Sequence, residues 1–387
     1  MKKKPYIIIV CLILCLSLLT GCQNTGSIFE NFRAVEALLP TQVLGIDGDS
    51  GKVILSCAAA PEEAGELPMR LWAKGSNIDA ALEHLQNYTP REEPFFAHVQ
   101  YILAGETMAR QGLRPLLDFL ARSPTMHMNT PLLAVRNDSA KTALLESGGE
   151  GSDIIRIIQS LEQFLTVRGE SYLYSCRDIA RALAEKGTAL CCAVEIRSLE
   201  DILAEEQDPG LTIIPAGYGI IQNGKLTGFL EGDAARGASL ALGHLALLTV
   251  ELPCGAVVGL DGCDLRWKPH WTEGRLDYVE AEGLLRAVVS GLETDMDLLD
   301  PAVTARLDQE LSEVATRWLR DALNATAQLG ADCLGLGEAL QASDPAAFDA
   351  LGDNWLQGLT IRLNLQGMVS QNFNAGGMAP VEGGAVQ

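Results

Sequence analysis

The chain holds 387 residues, enough for two or three compact units that each bury a core of their own. Hydrophobic residues make up 48% and charged residues 20%, which excludes a disordered, collagen-like or coiled-coil protein and leaves a globular one. Lysine and arginine number 29 against 50 aspartates and glutamates; the net charge of −21 repels phosphate backbones, so nucleic acid is not an expected partner.

Lys2, Lys3 and Lys4 precede an apolar run from Tyr6 to Leu19, and the chain turns polar directly after Cys22. That is the pattern of a signal peptide over residues 1–21, because a helix crossing the hydrocarbon needs about 20 apolar residues and this run is shorter. Leu19-Thr20-Gly21-Cys22 resembles a bacterial lipobox. The resemblance implies a diacylglyceryl group on the Cys22 sulfur and cleavage between Gly21 and Cys22. Two acyl chains give a durable anchor where one chain is marginal. Of ten cysteines, Cys11, Cys15 and Cys22 belong to this segment. The other seven form no C-x-x-C and no even framework, so they read as small core hydrophobes, with one disulfide involving Cys254 or Cys263 left open.

Residues 22–40 are expected to be a lipidated tether leading into the body. Thr41 to Ile46 and Lys52 to Ser56 flank Asp47-Gly48-Asp49-Ser50-Gly51, which predicts a hairpin. Ser76 is placed as the N-cap of a helix whose apolar face holds Ile78, Ala81, Leu82 and Leu85. Val99 to Ala104 reads as a strand, Met108 to Ala121 as a helix and Leu132 to Val135 as a strand. Glu146 to Gly151 is a linker, and Ser152 is expected to cap a helix carrying Ile154, Ile158, Leu161 and Leu165 on one face. Ile179 to Lys186 is helical, Ala189 to Ile196 a strand, and 205–210 a second break.

Beyond it, Gly217 to Gln222 and Leu226 to Leu230 flank Asn223-Gly224, a strong hairpin turn. Strands are expected at Leu248 to Leu252, Asp264 to His270, Leu276 to Glu280 and Leu284 to Val289. Asp300 caps a long helix with Pro301 at its first position and Gly330 at its end. Leu359 to Leu365 alternates as a half-buried strand. The divisions that follow are 41–204, with a further split near 146–152, then 211–369 and a flexible tail over 370–387.

Chemistry-bearing motifs fail on inspection. Gly45 to Lys52 has the wrong glycine spacing for a phosphate loop, and Val53 stands where a Mg²⁺-binding hydroxyl is required. Asp47 and Asp49 suit a calcium loop, but Ala58 occupies the position of the bidentate glutamate. The five histidines form no H-E-x-x-H, and Cys263 with His270 lacks a second ligand pair. No G-x-S-x-G elbow is present. Neither a metal, a cofactor nor a catalytic residue is expected.

Several segments in order resemble the Ger(x)C family of spore germination lipoproteins, the C subunits of nutrient germinant receptors. They are Leu44-Gly45-Ile46-Asp47, Phe95 to Glu106 with His98, Gly105 and Glu106, Leu116 to Arg122, Gly219 to Leu230 with Gly228, Arg236-Gly237, Ala331 to Gly337, and Asn354-Trp355. The resemblance implies an α+β, multidomain fold of mixed α/β domains with mostly antiparallel sheets flanked by helices. It also implies a non-enzymatic lipoprotein on the outer face of the inner spore membrane, assembled with A and B receptor subunits. His98, Gly105, Glu106, Gly228, Arg236 and Trp355 carry the motifs and are read as packing or contact residues. The alternative reading is a membrane-anchored solute-binding lipoprotein of an uptake system; a third is an anchored hydrolase.

Overall fold

Ser50 and Gly51 reverse the chain with φ of 50° and 79° between β1 (Leu38–Asp49) and β2 (Lys52–Ala59), as a two-residue hairpin turn requires. The computed structural model describes residues 38–59, 69–87, 93–147, 154–198, 211–245, 248–292, 296–352 and 354–370. The expected anchor at Cys22, residues 148–151 of the linker expected at 146–151, the Ser152 cap, the break at 205–210 and residues 371–387 of the tail expected from 370 lie outside these residues, while Glu146 ends a helix and Ser370 a strand.

β3 (Met69–Gly75) extends the hairpin, and α1 (Ile78–Asn87) follows. Its cap is Asn77 rather than the expected Ser76: the Asn77 Oδ1 accepts from the Ala80 N–H at 2.8 Å. After the short β4 (Glu93–Phe95), β5 (Tyr101–Gly105) is buried at every position. The expected helix from 108 to 121 is two helices, α2 (Glu106–Gln111) and α3 (Arg114–Arg122). They part at Gly112, whose φ of 146° no helix accommodates. Then come β6 (Leu132–Arg136), α4 (Ala140–Glu146), α5 (Ile154–Arg168), α6 (Cys176–Lys186), β7 (Thr188–Ser198) and the hairpin of β8 (Leu211–Gln222) with β9 (Lys225–Leu230).

These strands form one sheet in the order β3-β2-β1-β5-β6-β7-β8-β9, with β4 beside β1. Its centre, β1 to β7, is parallel and its flanks are antiparallel. Helical crossovers between successive central strands impose the parallel sense, and helices on both faces explain why these strands are apolar throughout. On one face Leu44, Ile46 and Ile102 pack with α1, α2, α3 and α6; on the other, Val43, Leu103 and Val135 pack with α4 and α5. The expected division at 204–211 falls between β7 and β8, which pair along their length.

The second sheet runs β10 (Leu248–Glu251), β11 (Val257–Thr272), β12 (Arg275–Gly291) and β13 (Ile361–Ser370). The two strands expected at 276–280 and 284–289 are the single strand β12. Antiparallel pairings outnumber parallel ones overall, and the chain is an α+β protein with helices flanking two mixed sheets. The long helix α8 (Pro301–Leu329) keeps its expected ends, with the Asp300 side chain accepting from the Ala302 N–H at 2.8 Å and Gly330 at φ 61°. It covers the free edge of β13: the Gly367 N–H donates to the Ser312 Oγ and the Val369 N–H to the Asp308 Oδ1, both at 2.7 Å. Two edge donors that would template another strand are thereby satisfied.

Four helices carry no mark in the sequence reading: α4, α7 (Gly232–Leu242), α9 (Leu336–Ser343) and α10 (Pro345–Asp349). The buried residues of α7 are Ala235, Gly237, Ala238, Ser239 and Leu240, and the small ones among them, Gly237 above all, let it lie against the backbone of α8. A methyl at Gly237 would overlap the Trp318 carbonyl, which has no flexible end to move aside. Gly237→Ala is therefore expected to lower unfolding stability by about 1–3 kcal/mol, read as a lower urea midpoint at unchanged slope.

Candidate functional site

Asp47 sits at the carboxyl end of β1 on the same face as Gly45, because side chains two apart on a strand share a face. It is 6% exposed, and its two oxygens accept from the Ala140 and Lys141 N–H groups at 2.8 Å each. A carboxylate from β1 thus caps the first turn of α4, a job ordinarily done by the residue before the helix. Ser139 does that too, accepting from the Thr142 N–H at 2.9 Å. Burial pushes the Asp47 carboxyl up from its ordinary range, and the two N–H groups pull it back in part.

Gly105 is the reason the carboxylate fits. It ends β5 beside Asp47, and a methyl there would overlap the Asp47 Oδ1. Glu106 follows at the start of α2 and accepts from the Asn137 N–H at 2.6 Å and the Arg110 Nε at 2.7 Å. Burial acts to raise its carboxyl, but these two partners outweigh it and hold the group below its ordinary value. Arg110 also donates to the Thr227 carbonyl at 3.5 Å, and its guanidinium lies 5.9 Å from the ring centre of Phe229. Arg136, at the end of β6, lies 5.8 Å from the same ring and pairs with Glu231 at 2.9 Å and Glu195 at 3.5 Å. The strand ends of the parallel centre thus carry one charged cluster that joins the Gly105-Glu106 segment to the Thr227-Gly228-Phe229 segment.

The second group of motif residues surrounds α8. A methyl at Gly228 would press on the Leu329 side chain. Arg236 pairs with Glu170 at 3.3 Å and Asp233 at 3.4 Å, with its guanidinium 5.7 Å from the ring centre of Trp318. Asp332 repeats the Asp47 device, accepting from the Leu336 N–H at 3.2 Å and the Gly337 N–H at 2.7 Å at the start of α9. Burial pushes its carboxyl up as well. Trp355 stands edge-on to Phe348 at 5.7 Å. His98 joins neither group: it is exposed on a 3-10 turn, edge-on to Phe95 at 5.6 Å.

A cavity of about 330 Å³ lies where α6 and β7 meet the turn after α8. Tyr172 stacks on His244 at 4.1 Å, and the Tyr174 hydroxyl stands 3.4 Å from the His244 Nδ1. Burial depresses His244 to about 4 and pushes the Tyr174 phenol up. The seven cysteines of the described residues are free thiols, so the disulfide left open at Cys254 or Cys263 is not formed. Burial pushes the Cys57, Cys176, Cys192 and Cys263 thiols up to about 12, away from the reactive thiolate. Among the described residues no three potential ligands gather as a metal group. What these arrangements do chemically is saturate buried charge with backbone donors and fix helices to strands.

Sequence reasoning missed Arg110, Arg136, Glu195, Glu231 and His244. The one local signal was a charged residue directly after an apolar strand, as Arg136 follows Leu132 to Val135.

Residues 32–196 match the family model described as spore germination protein N-terminal domain, and residues 216–370 match the one described as spore germination B3/GerAC like, C-terminal. No curated protein matches the chain. A solved structure titled crystal structure of the GerBC protein is similar to it at 14% identity with a TM-score of 0.52, covering 84% of this chain and 96% of that one. At this identity the likeness is one of fold.

Two measurements check the site. Asp47→Ala removes two charge-assisted hydrogen bonds and should cost about 2–4 kcal/mol in urea unfolding, with Asp47→Asn losing less because an acceptor remains. His244 is neutral in the folded chain down to about pH 4, whereas the unfolded chain takes up the proton below about 6.5. The folded state therefore loses stability as pH falls from about 6.5 to about 4, on the order of 2 kcal/mol from this residue. His244→Phe, which keeps the ring stacked on Tyr172, should flatten that part of the pH profile of the thermal midpoint.

Proposed function

The chain belongs to the Ger(x)C family of spore germination proteins, and from that membership we propose that it is the lipid-anchored C subunit of a nutrient germinant receptor. The observation that carries this reading is the extent of the match, which takes in residues 32–196 and 216–370 and so begins ten residues after the lipobox cysteine. The diacylglyceryl group on Cys22 holds the body at the outer face of the inner spore membrane, and the strongly acidic ectodomain leaves attachment to the lipid. No helix of the described residues is long and apolar enough to cross a membrane.

The body acts by contact with the A and B subunits rather than by bond chemistry. Supporting this, the buried Asp47 and the half-buried Asp332 each accept from two backbone N–H groups. The buried thiols are held protonated by their surroundings. A thiol nucleophile must ionise near neutral pH, which burial opposes at these cysteines. What they provide is a stiff frame, suited to holding partner subunits in register.

Cys22→Ala should move the chain from the membrane fraction to the soluble fraction of disrupted spores and slow nutrient-triggered germination. Membrane retention of that variant, or an unmodified Cys22 in the mass of the native protein, would overturn the anchor; normal germination by a fully soluble variant would overturn the receptor role.

A further inference from the structure

The two hairpins that the sequence marks most clearly end in the same pair of residues, Gly51-Lys52 and Gly224-Lys225. The fold brings both turns to one cleft of about 540 Å³. Its floor includes the buried side chains of Ile78 and Met108, and its rim carries Lys52, Lys225 and Arg114. The second turn is pinned there by the Leu113 N–H, which donates to the Gly224 carbonyl at 2.7 Å. Glycine is favoured on both sides of this junction by backbone conformation, Gly112 having φ 146° and Gly224 φ 83°.

Three features mark this cleft as a candidate site. It is lined by two lysines, an arginine and neutral residues, with no aspartate or glutamate, in a chain where acids outnumber bases 50 to 29. None of the three cations forms an ion pair among the described residues, and Asp49 in the adjoining turn is already engaged by Lys74 and Ser50. Arg114 stands at the first position of α3, where a cation opposes the helix dipole and lowers stability. Lys52 has Asp49 as its register partner across the turn, but three like charges drawn to one cleft from three separate elements repel one another, and a bound anion relieves that repulsion.

We propose that this cleft is a binding site for a small, soluble organic anion carrying two or more negative charges, of the phosphate-ester or polycarboxylate class. The lysines supply point charges from opposite hairpins, the Arg114 fork takes a planar or tetrahedral oxyanion, Asn77 and Gln111 supply neutral amide donors, and Ile78 with Met108 accepts the apolar part of the ligand. The volume falls in the range of small-molecule sites. Attachment to an anionic membrane ordinarily uses four to eight exposed cations on an open surface, which a concave site with three does not match.

The test is calorimetric titration and thermal melting of the full chain with tripolyphosphate and with citrate at low ionic strength, beside flotation with vesicles of phosphatidylcholine and phosphatidylglycerol. Saturable binding of at least one anion, a raised thermal midpoint and a loss of affinity on adding salt are expected. Arg114→Gln should weaken binding about tenfold, as removal of one charge-assisted contact does. The triple variant Lys52→Gln, Arg114→Gln, Lys225→Gln should abolish it. Lys268→Gln with Arg275→Gln, exposed cations of the second sheet, should leave it unchanged. The triple variant's own unfolding curve reports that it is folded. No saturable binding of either anion, equal binding by the triple variant, or vesicle binding that the triple variant alone abolishes would each overturn the proposal.

Discussion

One strand, β8, belongs to two cores, and the architecture depends on that sharing. It pairs with β7 on one side and β9 on the other, so it is part of the first sheet. Yet its Tyr218 and Ile220 pack into the cluster that contains α7, α8 and the second sheet, while the next residue, Ile221, faces α1, α2, α3 and α6. The Tyr218 hydroxyl is fully buried and satisfied by the Ser239 Oγ of α7 at 2.7 Å. A buried hydroxyl without that partner would cost free energy, so the bond fixes how α7 lies against β8. Because the hydrogen-bond ladder from β7 runs through β8, neither half can move relative to the other without breaking backbone bonds or opening apolar surface. The two regions matched as separate family domains are, mechanically, continuous.

The same device recurs on either side of that seam. Asp47, buried, and Asp332, half-buried, are carboxylates that cap helices they do not precede by the usual single residue, and in each case a glycine makes the room, Gly105 for the first and Gly337 for the second. Burial raises both carboxyls, so each carboxylate is held at some cost, and paired N–H donors at a helix start offset it. Further bonds tie the first sheet to the end of α8: the Gln222 Nε2 donates to the Leu329 carbonyl at 3.1 Å, and the Thr188 Oγ1 to the Asp332 carbonyl at 2.5 Å. Orphan carbonyls at a helix C-terminus are thus met by side chains of another layer. This arrangement leaves the charged groups at the surface, rather than those in the core, as the ones open to ligands.

Much of the fold was legible in the residues because its signals are local. Both hairpins rest on turn residues that accept positive φ, and α8 announces itself through Asp300, Pro301, a long apolar stripe and Gly330. The misses are as instructive. The helix expected across 108–121 breaks because the Gly224 carbonyl takes the Leu113 N–H, a partner more than a hundred residues away. The small-residue face of α7 has meaning only once the backbone of α8 lies against it. His98, which sits in a motif and has a titratable ring, turns out to be exposed and edge-on to Phe95, whereas His244, which has no motif, is half-buried against two tyrosines.

By itself the sequence determined the net acidity, the positions of most strands and of the long helix, and the ordered motifs of the family. Each depends on spacing within a window of a few residues, where backbone sterics and the helical or strand period act directly. Only the tertiary structure decided which strands run parallel, why Gly105 must lack a side chain, and that two Gly-Lys turns share a cleft with Arg114. Those outcomes are set by which surfaces come into contact, and a contact between residues 47 and 140, or 114 and 224, leaves no periodic trace in the chain between them.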